Sequence, residues 1–165
     1  MKYEELQLEI KKCFVFKKKL EDAINNFNEI IILGNGGSSS IASHISQDYT
    51  KKLKKRSFTF SDSSRLTCYS NDYGYQNAYC QFLKEFCNQN TLVILISSSG
   101  NSDNILNCAD WCEENKIKTI TLSGFSPDNK LKNKSMANRI INYWVDSKDY
   151  GIVECVHQIF LHMVA

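Results

Sequence analysis

No segment of this sequence approaches the ~18 consecutive apolar residues of a membrane-spanning helix, so no membrane partner is expected. The opening, MKYEELQLEIKKC, is charged throughout and lacks the apolar stretch of a secretory signal. Charge of one sign is scarce: 20 Lys and Arg against 18 Asp and Glu give a formal net charge of +2, too little to imply a nucleic-acid partner. The basic run KKLKKR, Lys51 to Arg56, ends a helical pattern, where cations suit the helix dipole. The seven cysteines are an odd number and include no C-x-x-C pair. Cys108 and Cys112 lie four apart on an expected helix, where packing explains them better than a metal. The set reads as reduced thiols, which places the protein in the cytoplasm. Two nucleotide signatures are also missing. No Gly-Lys-Ser/Thr follows a glycine loop, and GNGGSS supplies glycines only at Gly34, Gly36 and Gly37, not the G-x-G-x-x-G of a dinucleotide fold.

What is present alternates between two patterns. Residues 2–27 read as one long helix with a 3.6-residue apolar repeat. EIIILG is a short β-branched run stopped by glycine, as in a buried parallel strand. A helix over 39–54, a weak strand near 57–60, a polar loop over 61–74 and a helix over 75–88 follow. TLVILIS, Thr91 to Ser97, is the clearest strand. A helix over 102–115, a strand at KTITLSG, a loop holding the only proline (Pro127), a strand at NRIINYWV and a helix over 150–165 complete the chain. This alternation predicts an α/β domain with a parallel sheet covered on both faces, its ligands at the carboxyl ends of the strands.

Two serine loops occupy such ends, GNGGSSS after the first strand and SSSGNS after the third. Glycines let backbone amides approach a ligand, a helix start adds its positive end, and hydroxyls add donors. One helix cap needs one serine. Two clusters exceed that need and point to phosphate. The absence of lysine suits a phosphomonoester on a small molecule and fits phosphoryl transfer poorly.

The chain has three histidines. His44 and Asp48 lie about 40° apart around their helix, and Glu154 and His162 about 80° apart around theirs. His157 and His162 differ by about 140° and do not converge. Two imidazoles and two carboxylates suit a divalent metal such as zinc. On spacing alone the plainer readings stand first: a local polar pair for His44 and Asp48, and a satisfied core histidine in IFLHMVA.

GNGGSSSIASH, NDYGY, ISSSGNSDN and GIVECVHQIFLH together resemble the motifs of the SIS (sugar isomerase) domain, within its phosphoheptose isomerase branch. The resemblance implies a flavodoxin-like three-layer sandwich with a five-stranded parallel sheet, formed by residues 1–165 as one SIS domain with a leading helix. It further implies a homotetramer acting on a sugar phosphate, sedoheptulose 7-phosphate being the family's substrate, for the heptose of surface polysaccharides. Carried over by motif, Asn35, Gly36, Gly37 and Ser38 form a first substrate loop, Asn71 and Asp72 contact substrate, and Ser97, Ser98, Ser99 and Ser102 hold phosphate. His44, Asp48, Glu154 and His162 match a zinc set, and Asp48, Glu154 and His162 carry the catalytic roles. The family has Glu where this chain has Asp48, and Gln where it has Glu154.

An aldose–ketose isomerase needs a base beside the carbonyl and an acid for the oxygens; Asp48 or Glu154 suits the first role and His162 the second. The alternative is a non-catalytic SIS module that binds a phosphosugar or a partner such as a replication initiator. Such a module would keep the serine loops without needing the ligand set.

Overall fold

The computed structural model describes residues 2–165. Its elements are α1 (Tyr3–Cys13), α2 (Lys17–Asn25), β1 (Glu29–Gly34), α3 (Gly37–Leu53), β2 (Arg56–Thr59), α4 (Ser63–Tyr73), α5 (Tyr75–Phe86), β3 (Thr91–Ser97), α6 (Asp103–Glu114), β4 (Lys118–Ser123), α7 (Lys130–Asn133), β5 (Arg139–Trp144) and α8 (Tyr150–His162). The five strands are all parallel in the order β2-β1-β3-β4-β5. That is the flavodoxin-like order, with its reversal between β1 and β3.

Every residue of β1 and β3 is buried, because both sheet faces are covered. Alternate side chains enter two cores. Ile30, Ile32, Leu92, Ile94 and Ile96 pack with Ala23 and Ile24 of α2, Ile45 and Tyr49 of α3, and Val156 and Phe160 of α8. Ile31, Leu33, Val93 and Leu95 pack with Phe82 and Leu83 of α5 and Ile105 and Cys108 of α6. Helices α3 and α8 thus lie on one layer, and their neighbouring faces bear His44, Asp48 and His162.

Three expectations are corrected. The leading helix is not continuous: a 3₁₀ turn at Phe14–Phe16 separates α1 from α2. The tighter turn lets Phe16 contact the rings of Tyr143 and Phe160, with centroids at 5.3 and 6.2 Å, while Phe14 and Val15 stay exposed. The stretch expected as a polar loop over 61–74 contains α4, capped by the Asp62 carboxylate accepting from the Arg65 amide at 2.7 Å. No residue of α4 is fully buried, so its apolar repeat is faint. The loop after Pro127 contains the single turn α7.

His157 is a core histidine. It is fully buried, and its Nε2 lies 3.1 Å from the Ser123 carbonyl, which makes Nε2 the donor. Nδ1 is buried with no hydrogen-bond partner among the described residues. Burial pushes its pKa down to about 4, against a small opposing effect of the Ser123 bond. The unfolded chain therefore binds a proton that the fold refuses between about pH 6.5 and 4. Stability from the neutral ring is full above that window and is lost as pH falls through it, by about 3 kcal/mol in all. Urea midpoints measured from pH 7 to pH 4 should fall more steeply in the wild type than in His157→Gln; equal slopes would refute this.

Candidate active site

The two serine loops meet where the strand order reverses, and between them lies a cavity of about 230 Å³. The first loop turns on Gly36, whose φ of +52° L side chains rarely adopt. A Cβ on Gly34 would come within 2.8 Å of the Ser38 backbone, so the strand can press against the helix start only without one. Helix α3 begins at Gly37, which sets the positive end of its dipole at the cavity. In the second loop the Gly100 amide donates to the Ser97 carbonyl at 2.9 Å, and the Ser97 and Ser102 hydroxyls lie 3.0 Å apart. Gly100 has φ +66°, and any Cβ there would fall on Asn129. Asn129 is itself buried, donating to the Gly124 and Ser126 carbonyls at 3.1 and 2.8 Å. The loop is therefore backed by fixed structure.

Asn35, Gly36, Gly37 and Ser38 line the cavity from one side, and Ser97, Ser98, Ser99 and Ser102 from the other. All eight residues expected in the two loops thus converge. The Ser98 hydroxyl is buried with no partner among the described residues. A buried orphan hydroxyl in a hydroxyl-lined cavity is what a ligand oxygen would satisfy. Tyr150 and Glu154, from the start of α8, close the wall. Tyr150 stands directly before the GIVECVHQIFLH motif that carries Glu154.

A second group lies along α3 and α8. Asp48 Oδ2 is 3.9 Å from His44 Nε2 and 3.6 Å from His162 Nδ1, and the two rings are 5.1 Å apart. One ligand atom from each residue lies within 4.8 Å of the others. Asp48 is buried, and Lys52 donates to its Oδ2 at 2.9 Å. That bond holds the carboxyl below its ordinary pKa, assisted by the charges of Lys52, His44 and His162 and opposed by desolvation. His162 is biased toward its neutral form, first by burial and then by His44, with Asp48 opposing. Two imidazoles and one carboxylate are a donor set that fits zinc and leaves a coordination position open.

The fourth expected ligand is not in this group. The Glu154 carboxylate stands over Gly37, where a Cβ would strike it, and lines the serine cavity. Eight residues put Glu154 and His162 on a shared side of α8 but about 12 Å apart along its axis. Asn71 and Asp72 are also displaced from expectation. They are exposed on α4, where Asn71 donates to Asp72 at 3.0 Å, and do not line the cavity. Asn104 and Tyr75, the last residues of the ISSSGNSDN and NDYGY motifs, are given no role by motif; both hydrogen-bond the side chain of Asn35.

The two groups are joined by a groove. A second hollow of about 420 Å³ shares Gly37 and Glu154 with the serine cavity and runs past Ser40 and Gln158 to His44.

The chain matches the SIS domain family over residues 7–124. A phosphoheptose isomerase from Helicobacter pylori is 31% identical over 151 residues, covering 88% of this chain and 76% of that one. A phosphoheptose isomerase from Fusobacterium nucleatum is 27% identical over 168 residues, covering 99% and 84%. The solved phosphoheptose isomerase of Neisseria gonorrhoeae superposes with a TM-score of 0.83 at 21% identity over 96% of this chain and 88% of that one, and that of Francisella tularensis with 0.80 at 20%, with the same two coverages. No helix among the described residues is long and apolar enough to cross a membrane. With its sheet order, paired serine loops and this relationship, the chain belongs to the SIS-domain family, among the phosphoheptose isomerases.

Proposed function

We propose that this protein, acting as one SIS unit, interconverts an aldose and a ketose sugar phosphate. The substrate we assign is sedoheptulose 7-phosphate, turned into D-glycero-D-manno-heptose 7-phosphate for capsule or lipopolysaccharide heptose. The carrying observation is the span between the two groups. Counted from Gly37 along α3, His44 lies about 10 Å and Asp48 about 16 Å down the axis. An open-chain seven-carbon sugar phosphate extends about 10 Å, at roughly 1.2 Å per bond of an extended chain. A phosphate held by the serines thus leaves C1 and C2 of a heptose near His44, whose Nε2 lies 3.9 Å from the Asp48 carboxylate, whereas a three-carbon sugar stops short. A phosphosugar-binding module has no need of a histidine–aspartate–histidine group at that distance, which favours the enzyme.

In this reading, Ser97, Ser99, Ser102 and the loop amides hold the phosphate, with Ser98 completing the set. Asp48, kept ionised by Lys52, takes the proton from C1 of the open-chain ketose and returns it at C2. His162 exchanges protons with the sugar oxygens. Glu154, over Gly37 where the serine cavity opens into the groove, faces the sugar hydroxyls next to the phosphate-bearing end. His44, Asp48 and His162 would hold zinc, which when bound polarises the carbonyl. We further propose a cytoplasmic homotetramer. All seven cysteines are free. Tyr3, Leu8, Phe14 and Val15 leave apolar surface on the N-terminal helices that a neighbouring copy would cover. Sedimentation at micromolar concentration should give an oligomer; a stable monomer would contradict it.

The function is tested by following ketose phosphates of three to seven carbons by NMR, with and without added zinc. Conversion of the seven-carbon sugar and not the three-carbon one is expected. Tight binding of all of them without conversion would support the binding module instead.

A further inference from the structure

Asn35 is held by an unusual number of contacts for a loop side chain. Its Nδ2 donates to Asn104 Oδ1 at 2.9 Å, and Asn104 Nδ2 donates back to Asn35 Oδ1 at 2.8 Å. The Tyr75 hydroxyl donates to the same Asn35 oxygen at 2.8 Å. Asn104 is buried, at 3% exposure, in the first turn of α6, directly after the second serine loop. Tyr75 opens α5. Neither lines the serine cavity, whereas Asn35 does.

An amide oxygen has two lone pairs and an amide nitrogen has two hydrogens. Both lone pairs of Asn35 Oδ1 are engaged by groups outside the cavity. One hydrogen of Nδ2 is engaged by Asn104, and one remains. Resting on the reading of the cavity as a sugar-phosphate site, we propose that Asn104 and Tyr75 are positioning residues that lock the Asn35 amide with its oxygen turned away, so that it meets the sugar only as a hydrogen-bond donor. The site then selects an oxygen acceptor on the sugar next to the phosphate-bearing end. It rejects an analogue that offers only a donor there, because two donors would then face each other with no acceptor between them. The same pair of amides ties the first substrate loop to the helix that begins at the second, so the two loops keep one spacing.

The test separates each donor to Asn35 Oδ1. Asn104→Asp still accepts from Asn35 but cannot donate to its oxygen, and Tyr75→Phe removes only the hydroxyl. Either change alone leaves one donor in place, and KM for the sugar phosphate should rise less than about 5-fold. Together they free the oxygen to turn inward, and KM should rise about 100-fold, well beyond the product of the single effects. kcat should change much less, since a contact present in both ground and transition states is being lost. The inhibition constant of inorganic phosphate, which needs only the serine loops, should stay where it is. Asn35→Asp, which offers an acceptor in place of the donor, should reproduce the KM rise. A double variant whose effect equals the product of the singles overturns the proposal. So does a phosphate inhibition constant that weakens in step with KM, since that marks general damage to the loops. Failure of the unaltered enzyme to convert any sugar phosphate overturns the isomerase reading, and this proposal with it; failure confined to the variants overturns the proposal alone.

Discussion

Replacing Asp48 by asparagine is expected to lower kcat for sugar-phosphate isomerisation by about 10²–10⁴-fold. The change keeps the size of the side chain and one oxygen but removes the only form able to take a proton. In the wild type the carboxylate is secured twice over. Lys52 donates to it at 2.9 Å, and His44 and His162 stand within 4 Å. A carboxyl held below its usual pKa is ionised across the neutral range, which a base requires. Calorimetry on Asp48→Asn should show sugar phosphate bound nearly as in the wild type, because the serine loops are untouched. Glu154→Gln serves as the comparison. Glu154 lines the cavity rather than the histidine group, so its loss should weaken binding more than it lowers kcat. If Asp48→Asn turned over at the normal rate while Glu154→Gln were inert, the roles would have to be exchanged.

The second large effect is expected from removing two hydroxyls at the phosphate loop. Ser97→Ala with Ser102→Ala should weaken binding by about 2–4 kcal/mol, or roughly 30- to 1000-fold in Kd, at about 1–2 kcal/mol per bond to a charged group. The two hydroxyls lie 3.0 Å apart and share the cavity floor, so a phosphate bridging them loses both partners at once. The fold should survive, since neither hydroxyl caps α6 by a side-chain bond. Unchanged affinity would mean that the phosphate sits elsewhere.

Much of this was legible in the sequence because the signals were local. A β-branched run stopped by glycine becomes β1, and serines with a single glycine after TLVILIS become a cavity wall. His44 and Asp48 are one helical turn apart, and that spacing survives folding. What stayed hidden depends on distance along an axis or on contacts between remote segments. The angle around α8 puts Glu154 and His162 on one side, but the rise of about 1.5 Å per residue separates them into the cavity wall and the histidine–aspartate group. Helix α4 leaves little apolar repeat in the sequence because no residue in it is fully buried, and it carries Asn71 and Asp72 on an exposed surface. Asn104 meets Asn35 across 69 residues, which no local pattern announces. The break at Phe14–Phe16 follows from Phe16 reaching Tyr143 and Phe160, both at the far end of the chain.

The most direct test is isomerisation in D₂O with zinc-loaded protein and sedoheptulose 7-phosphate, followed by ¹H NMR. A base that takes the C1 proton and exchanges it with solvent before returning it to C2 predicts an aldose 7-phosphate carrying deuterium at C2. It also predicts loss of that signal in Asp48→Asn. Sugar phosphate that binds the wild type, yet is recovered with no aldose formed and no deuterium at C1 or C2, would contradict the account.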